Sequence, residues 1–136
     1  MLKLEISYQV KMPLAWGGFL NKLAQATACQ LKIKADWPVS LVFVGPQTIR
    51  KLNRLYRHQD AVTDVLSFTE IDEIFICYAR AVRQSKTNKI PVKQEIGWLF
   101  IHGLLHLRGY THETEKKFKR MVDLQGEILR PYVKLR

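Results

Sequence analysis

Residues 91–112 read PVKQEIGWLFIHGLLHLRGYTH. Val92, Ile96, Trp98, Leu99, Phe100, Ile101, Leu104, Leu105 and Leu107 crowd this stretch so densely that a helix made from it is apolar almost all round. A surface helix shows an apolar stripe on one side only, so this one belongs in the middle of a fold. Gly109 follows the last apolar residue, where a left-handed residue commonly ends a helix. The longest apolar run, IGWLFIHGLLHL, falls short of the roughly 20 residues that a membrane span requires. No transmembrane role is expected from it.

Working outward, LKLEISYQV at the start alternates apolar and polar residues and predicts a strand. Residues 14–29 place Leu14, Phe19, Leu20, Leu23 and Ala24 near helical spacing. PVSLVFVG is β-branched and apolar, hence a second strand, and Gly45-Pro46 punctuates it before a helix over 47–56, with Pro46 suited to the first turn. TDVLSF and EIFICY predict two short strands around the acidic turn TEIDE. A basic helix over 79–88 and a final helix from Glu113 to Leu129, closed by Pro131, flank the apolar one. Lys116, Lys117, Lys119 and Arg120 fall on the exposed side of that last helix. The expectation is an α+β fold in a single domain over 1–136: a small mixed sheet of about four strands, with helices packed around a buried central helix.

The 136 residues carry 22 Lys and Arg against 12 Asp and Glu, a net charge of +10 spread over the whole chain. Such an excess repels itself unless a polyanion is near, which points to nucleic acid first and an anionic membrane surface second. The alternating start is a strand and not a secretory signal, so the reading is cytoplasmic. Cys29 and Cys77 form no CxxC pair, and both are expected to be inert thiols among buried residues.

Three of the four histidines lie within residues 102–112. His102 and His106, four apart, sit about 40° apart around a helix and about 6 Å along it, so both imidazoles can reach one point. The turn at Gly109 brings His112 back toward them. Three neutral nitrogens suit zinc, and a fourth position left for water means chemistry, whereas structural zinc sites are usually closed by four protein ligands. The histidine spacing matches the long HExxH zinc-protease motif, but Gly103 stands where those proteases carry the glutamate base. A peptidase is therefore disfavoured, and activation of water falls to the metal itself.

HGLLHLRGYTH, together with LNRLYRHQDAVTDVLSF at 52–68, resembles the YbeY family of bacterial endoribonucleases, which carries HGxLHLxGYDH and LNxxYRxxDxxTDVLSFP. The resemblance implies a metal-dependent, single-strand-selective endoribonuclease of ribosomal RNA maturation and ribosome quality control. It implies one zinc or other divalent ion on His102, His106 and His112, and single-stranded RNA, ribosomal RNA and the small ribosomal subunit as partners. Arg57 matches the family's functional arginine, and a planar guanidinium suits charge developing on a phosphate. By itself Arg57 belongs to the basic face formed with Arg50, Lys51, Arg54 and His58. Asp64 and Ser67 match too, as functional residues or as a turn former and a strand residue. The chain departs from the pattern at Thr111, in place of an aspartate, at Val62 and Thr69, in place of prolines, and at Asp72-Glu73, in place of Gly-Asp. The alternative from another class is a noncatalytic RNA-binding ribosome assembly factor with a structural zinc.

Overall fold

The computed structural model describes residues 1–134. Its sheet has the order β1-β2-β4-β3, formed by β1 (Leu2–Tyr8), β2 (Trp37–Val44), β3 (Val65–Phe68) and β4 (Glu73–Cys77). β1 with β2 and β2 with β4 are parallel, and β3 with β4 is antiparallel. Parallel neighbours need a crossover, and two helices supply them: α1 (Gly17–Gln30) between β1 and β2, and α2 (Pro46–Arg57) between β2 and the β3–β4 pair. Pro46 opens α2 as expected, since its missing N–H has no intrahelical partner there anyway. α3 (Tyr78–Asn88), α4 (Val92–Leu107) and α5 (Glu115–Leu129) follow.

The apolar stretch is α4, and α1, α3, α5 and the sheet all pack against it. Ile96, Phe100, Ile101, Leu104 and Leu105 are fully buried in one core with Leu20, Leu23, Leu41, Phe43, Ile74 and Ile76. A smaller apolar layer, with Val42, Val44, Ile49, Leu66, Phe68 and Cys77, lies around α2. The expected α+β architecture is thus observed.

Three details differ from expectation. Leu14–Trp16 form a 3₁₀ turn, and Leu14 is exposed, because the stripe of α1 starts at Leu20. α5 begins two residues later than read: Thr114 caps it, its side chain accepting from the Lys117 backbone N–H at 3.1 Å. Cys77 is buried as expected but Cys29 is exposed, since the buried positions of α1 are 20, 23, 24, 27 and 28 and residue 29 falls off that stripe. Asp72, where the family pattern has glycine, adopts φ +49°, a left-handed turn that aspartate tolerates better than most residues.

At Gly103 α4 packs directly against the sheet. A Cβ there would lie 2.9 Å from Ile74 Cγ2, 3.0 Å from Ile74 Cδ1 and 3.1 Å from Ser67 Oγ. Alanine would gain about 1 kcal/mol of helix propensity, but forcing a methyl into this contact costs roughly 1–3 kcal/mol. Gly103→Ala is therefore expected to be net destabilising, with a lower midpoint in urea unfolding; a higher midpoint would show that the contact yields freely.

Candidate active site

The end of α4 builds the site. The Gly109 N–H donates to the His106 carbonyl at 3.0 Å and the Tyr110 N–H to the Leu105 carbonyl at 3.1 Å, with Gly109 at φ +88°. This pair of bonds is a Schellman ending, and it reverses the chain so that His112 returns to the helix end. One nitrogen from each of His102, His106 and His112 lies within 4.8 Å of the others. His102 Nε2 and His106 Nε2 are 2.9 Å apart. His58 is exposed at the C-terminal end of α2 and outside this cluster.

Gln125 orients the first histidine. It is 1% exposed, its Nε2 donates to the Trp98 carbonyl at 3.2 Å, and its Oε1 lies 3.3 Å from His102 Nδ1. With the amide anchored that way, the facing oxygen only accepts, so Nδ1 of His102 carries the proton and Nε2 presents its lone pair to the cluster. Gln125 was not singled out by sequence reasoning. Its partner is 23 residues away, and the only local signal was a polar residue on the buried side of an otherwise ordinary amphipathic helix.

Two of the imidazoles, His102 and His106, are shifted towards the neutral form. His106 is pushed down to about 4, chiefly by burial and then by the charges of His102 and His112; a backbone hydrogen bond with Tyr110 opposes this, and the Arg57 charge adds to it. Burial also lowers His102, while Gln125 and the Asp64 carboxylate pull it back up and His112 pushes it further down. Neutral nitrogens at neutral pH are what a metal needs. Tetrahedral zinc with Zn–N bonds of 2.0–2.1 Å separates its nitrogens by about 3.3 Å, close to the 2.9 Å seen between His102 and His106. The donor set fits a divalent ion.

Arg57 is the last residue of α2 and shares an open cleft of about 710 Å³ with the three histidines. Its Nη2 donates to the Ser67 carbonyl at 2.7 Å, and its guanidinium lies 4.9 Å from the Phe68 ring centroid. Asp64 and Ser67 are in the same cleft with structural duties. Asp64 Oδ1 accepts from the Val65 N–H at 2.7 Å and Oδ2 from Gln84 Nε2 at 3.3 Å, while Ser67 Oγ packs beside Gly103. Thr111 lines the cleft in place of the family's aspartate.

A family model described as Endoribonuclease YbeY matches residues 5–133. The chain belongs to the YbeY family. It is 39% identical over 111 residues to the Endoribonuclease YbeY of Aster yellows witches'-broom phytoplasma, covering 73% of this chain and 76% of that one. The Endoribonuclease YbeY of Staphylococcus aureus strain JH9 is 36% identical over 135 residues, 87% of each chain. The solution structure of TM1509 from Thermotoga maritima superposes with a TM-score of 0.66 at 25% identity, over 96% of this chain and 91% of that one. YbeY proteins are metal-dependent nucleases, and the histidine cluster is where this chain can bind a metal.

Two outcomes follow from this geometry. Gln125→Leu removes the acceptor for His102 Nδ1–H and is expected to weaken zinc binding about 10- to 100-fold in competition with a chromogenic chelator, with Gln125→Glu retaining most of the affinity; unchanged affinity in the leucine variant would show that the amide does not orient the ring. Because His102 and His106 titrate lower in the fold than in the unfolded chain, the unfolded state binds more protons below about pH 6.5. The metal-free protein should therefore lose thermal stability as pH falls from about 6.5 towards 4, and His106→Asn should flatten that slope.

Proposed function

We propose that this chain is a single-strand-selective endoribonuclease of ribosomal RNA maturation, acting in the cytoplasm on RNA of the small ribosomal subunit. In this reading one zinc ion sits on His102, His106 and His112, and Arg57 holds the phosphate. Membership of the YbeY family makes the chain a hydrolase of RNA phosphodiester bonds. The observation that carries the mechanism is the meeting of three histidine nitrogens and an anchored arginine in one cleft of a protein of charge +10.

When bound, a divalent ion supplies the positive charge that activates water at neutral pH and offsets charge on the phosphate. The protein's own part is positional. Gln125 holds the His102 ring, the Schellman turn holds His112, and burial keeps His106 unprotonated. Arg57 spends one donor on the Ser67 carbonyl, which fixes the fork, and keeps others for nonbridging oxygens. Exposed Lys116, Lys119 and Arg120 on α5 give affinity for the RNA backbone without reading its sequence. Among the described residues three histidines gather, not four ligands, which favours a catalytic over a purely structural metal. No helix of the described residues is long and apolar enough to cross a membrane. The peptidase reading would need a glutamate at 103, where even a Cβ meets Ile74 at 2.9 Å.

The test is end-group analysis of a single-stranded RNA oligonucleotide treated with the zinc-loaded protein, with and without chelator. Chelator-sensitive cleavage lost in His102→Ala, His106→Ala and His112→Ala but kept in His58→Ala is expected; full zinc retention by His112→Ala would overturn the three-ligand site. The end groups tell attack by water from attack by the 2′-hydroxyl. Arg57→Lys should lower the rate at saturating RNA at least about ten-fold while changing binding much less, because lysine keeps the charge and loses the fork. Neutralising Lys116, Lys117, Lys119 and Arg120 together should do the reverse, reducing the salt slope of binding by up to about 3.

A further inference from the structure

On the other side of β3 from the histidines lies a groove of about 460 Å³, walled by Leu52, Tyr56, Phe68, Ile71 and Phe75. Arg57 and Glu70 line both this groove and the histidine cleft, so the two run into each other around the edge of the sheet. Tyr56 is 60% exposed and Ile71 63%. Single exposed apolar residues are ordinary, but a cluster joined to a functional cleft calls for an occupant.

The aromatic residues form a fixed stack of edges and faces. Tyr56 meets Phe68 at 5.4 Å and 73°, and Phe68 meets Phe75 at 5.7 Å and 79°. Phe68 and Phe75 are thus committed to the protein, while Tyr56 keeps most of its surface for a ligand. Tyr56 also directly precedes Arg57, whose guanidinium rests on Phe68. A nucleic acid strand held by one phosphate at Arg57 has its neighbouring base within reach of this groove. Unpaired bases are commonly received on aromatic side chains, whereas a base inside a duplex offers no free face. The rim is acidic: Glu70 and Glu73 line the groove, and neither forms an ion pair among the described residues. Carboxylates accept from the exocyclic amino groups of bases, which uracil lacks.

We propose that this groove is a nucleobase subsite, in which the base adjoining the phosphate at Arg57 stacks on Tyr56 and offers an exocyclic amino group to Glu70 and Glu73. It rests on the ribonuclease reading and gives that activity two properties. Single-strand selectivity arises from the need to stack one base outside a helix. Base preference arises from the acidic rim, so adenine, cytosine or guanine is taken before uracil.

The experiment measures binding of fluorescent 2′-O-methyl 12-mers of A, C and U to the zinc-loaded protein by anisotropy. The parent should bind A and C more tightly than U. Tyr56→Ala should weaken A and C binding on the order of ten-fold, with an unchanged unfolding midpoint, and Tyr56→Phe should restore it. Glu70→Ala combined with Glu73→Ala should bring the A-to-U and C-to-U ratios towards one while the Tyr56 effect persists. If the parent binds all three oligonucleotides and Tyr56→Ala binds them equally well, the subsite is wrong and the ribonuclease reading stands. A ratio unaltered in the double glutamate variant overturns the base preference. If the parent binds none of them, the ribonuclease reading fails and takes the subsite with it.

Discussion

The missing side chain at Gly103 is the constraint on which the rest of the site depends. It lets α4 press onto the sheet at Ile74 and beside Ser67, and the residue just before it is His102. Any thicker contact would lift the helix and carry His102 and His106 away from β3, whose Ser67 carbonyl anchors Arg57. The distance between the histidines and the arginine is thus set by packing in the core, not by contacts between them. The same contact works against a zinc-protease mechanism. A zinc protease needs a base at that position, and here the position is taken up by the fold.

Burial around α4 favours uncharged forms of both acids and bases. His102 and His106 are pushed down, and Glu95 earlier in the helix is pushed up, by burial first and by the Asp64 charge second. Burial beside the site thus disfavours charge of either sign on these three side chains. Positive charge is carried at the rim by Arg57 and over the exposed face of α5, where an anionic strand can meet it without a buried cation having to be desolvated. A protein of charge +10 can in this way keep neutral metal-binding nitrogens.

Much of this was legible in the residues because it depends on local spacing. The all-round apolar character of 92–107 marked the central helix, and the i, i+4 histidines with Gly109 marked the convergence that the structure shows. Gly45-Pro46 marked the start of α2, and the patterns of 2–10 and 38–45 marked the first two strands. Where the reading failed, a finer local pattern was overlooked: the stripe of α1 passes through residues 24, 27 and 28 and leaves Cys29 outside. Gln125 and the anchoring of Arg57 were not legible, since both are contacts between distant segments, across 23 and 10 residues respectively. Arg57 stood out only by family resemblance, and the hydrogen bonds of Asp64 and the packing of Ser67 beside Gly103 could not be read from the residues.

The bond from Arg57 to the Ser67 carbonyl has a second consequence. β3 is an edge strand, and exposed carbonyls on such a strand are a template for another chain to add to the sheet. The guanidinium occupies one of these carbonyls and sets a charge over the edge, on a strand only four residues long. A side chain that lines the cleft thus also covers part of an edge open to another chain. A shorter neutral residue at 57 would uncover that carbonyl and take away the charge beside it.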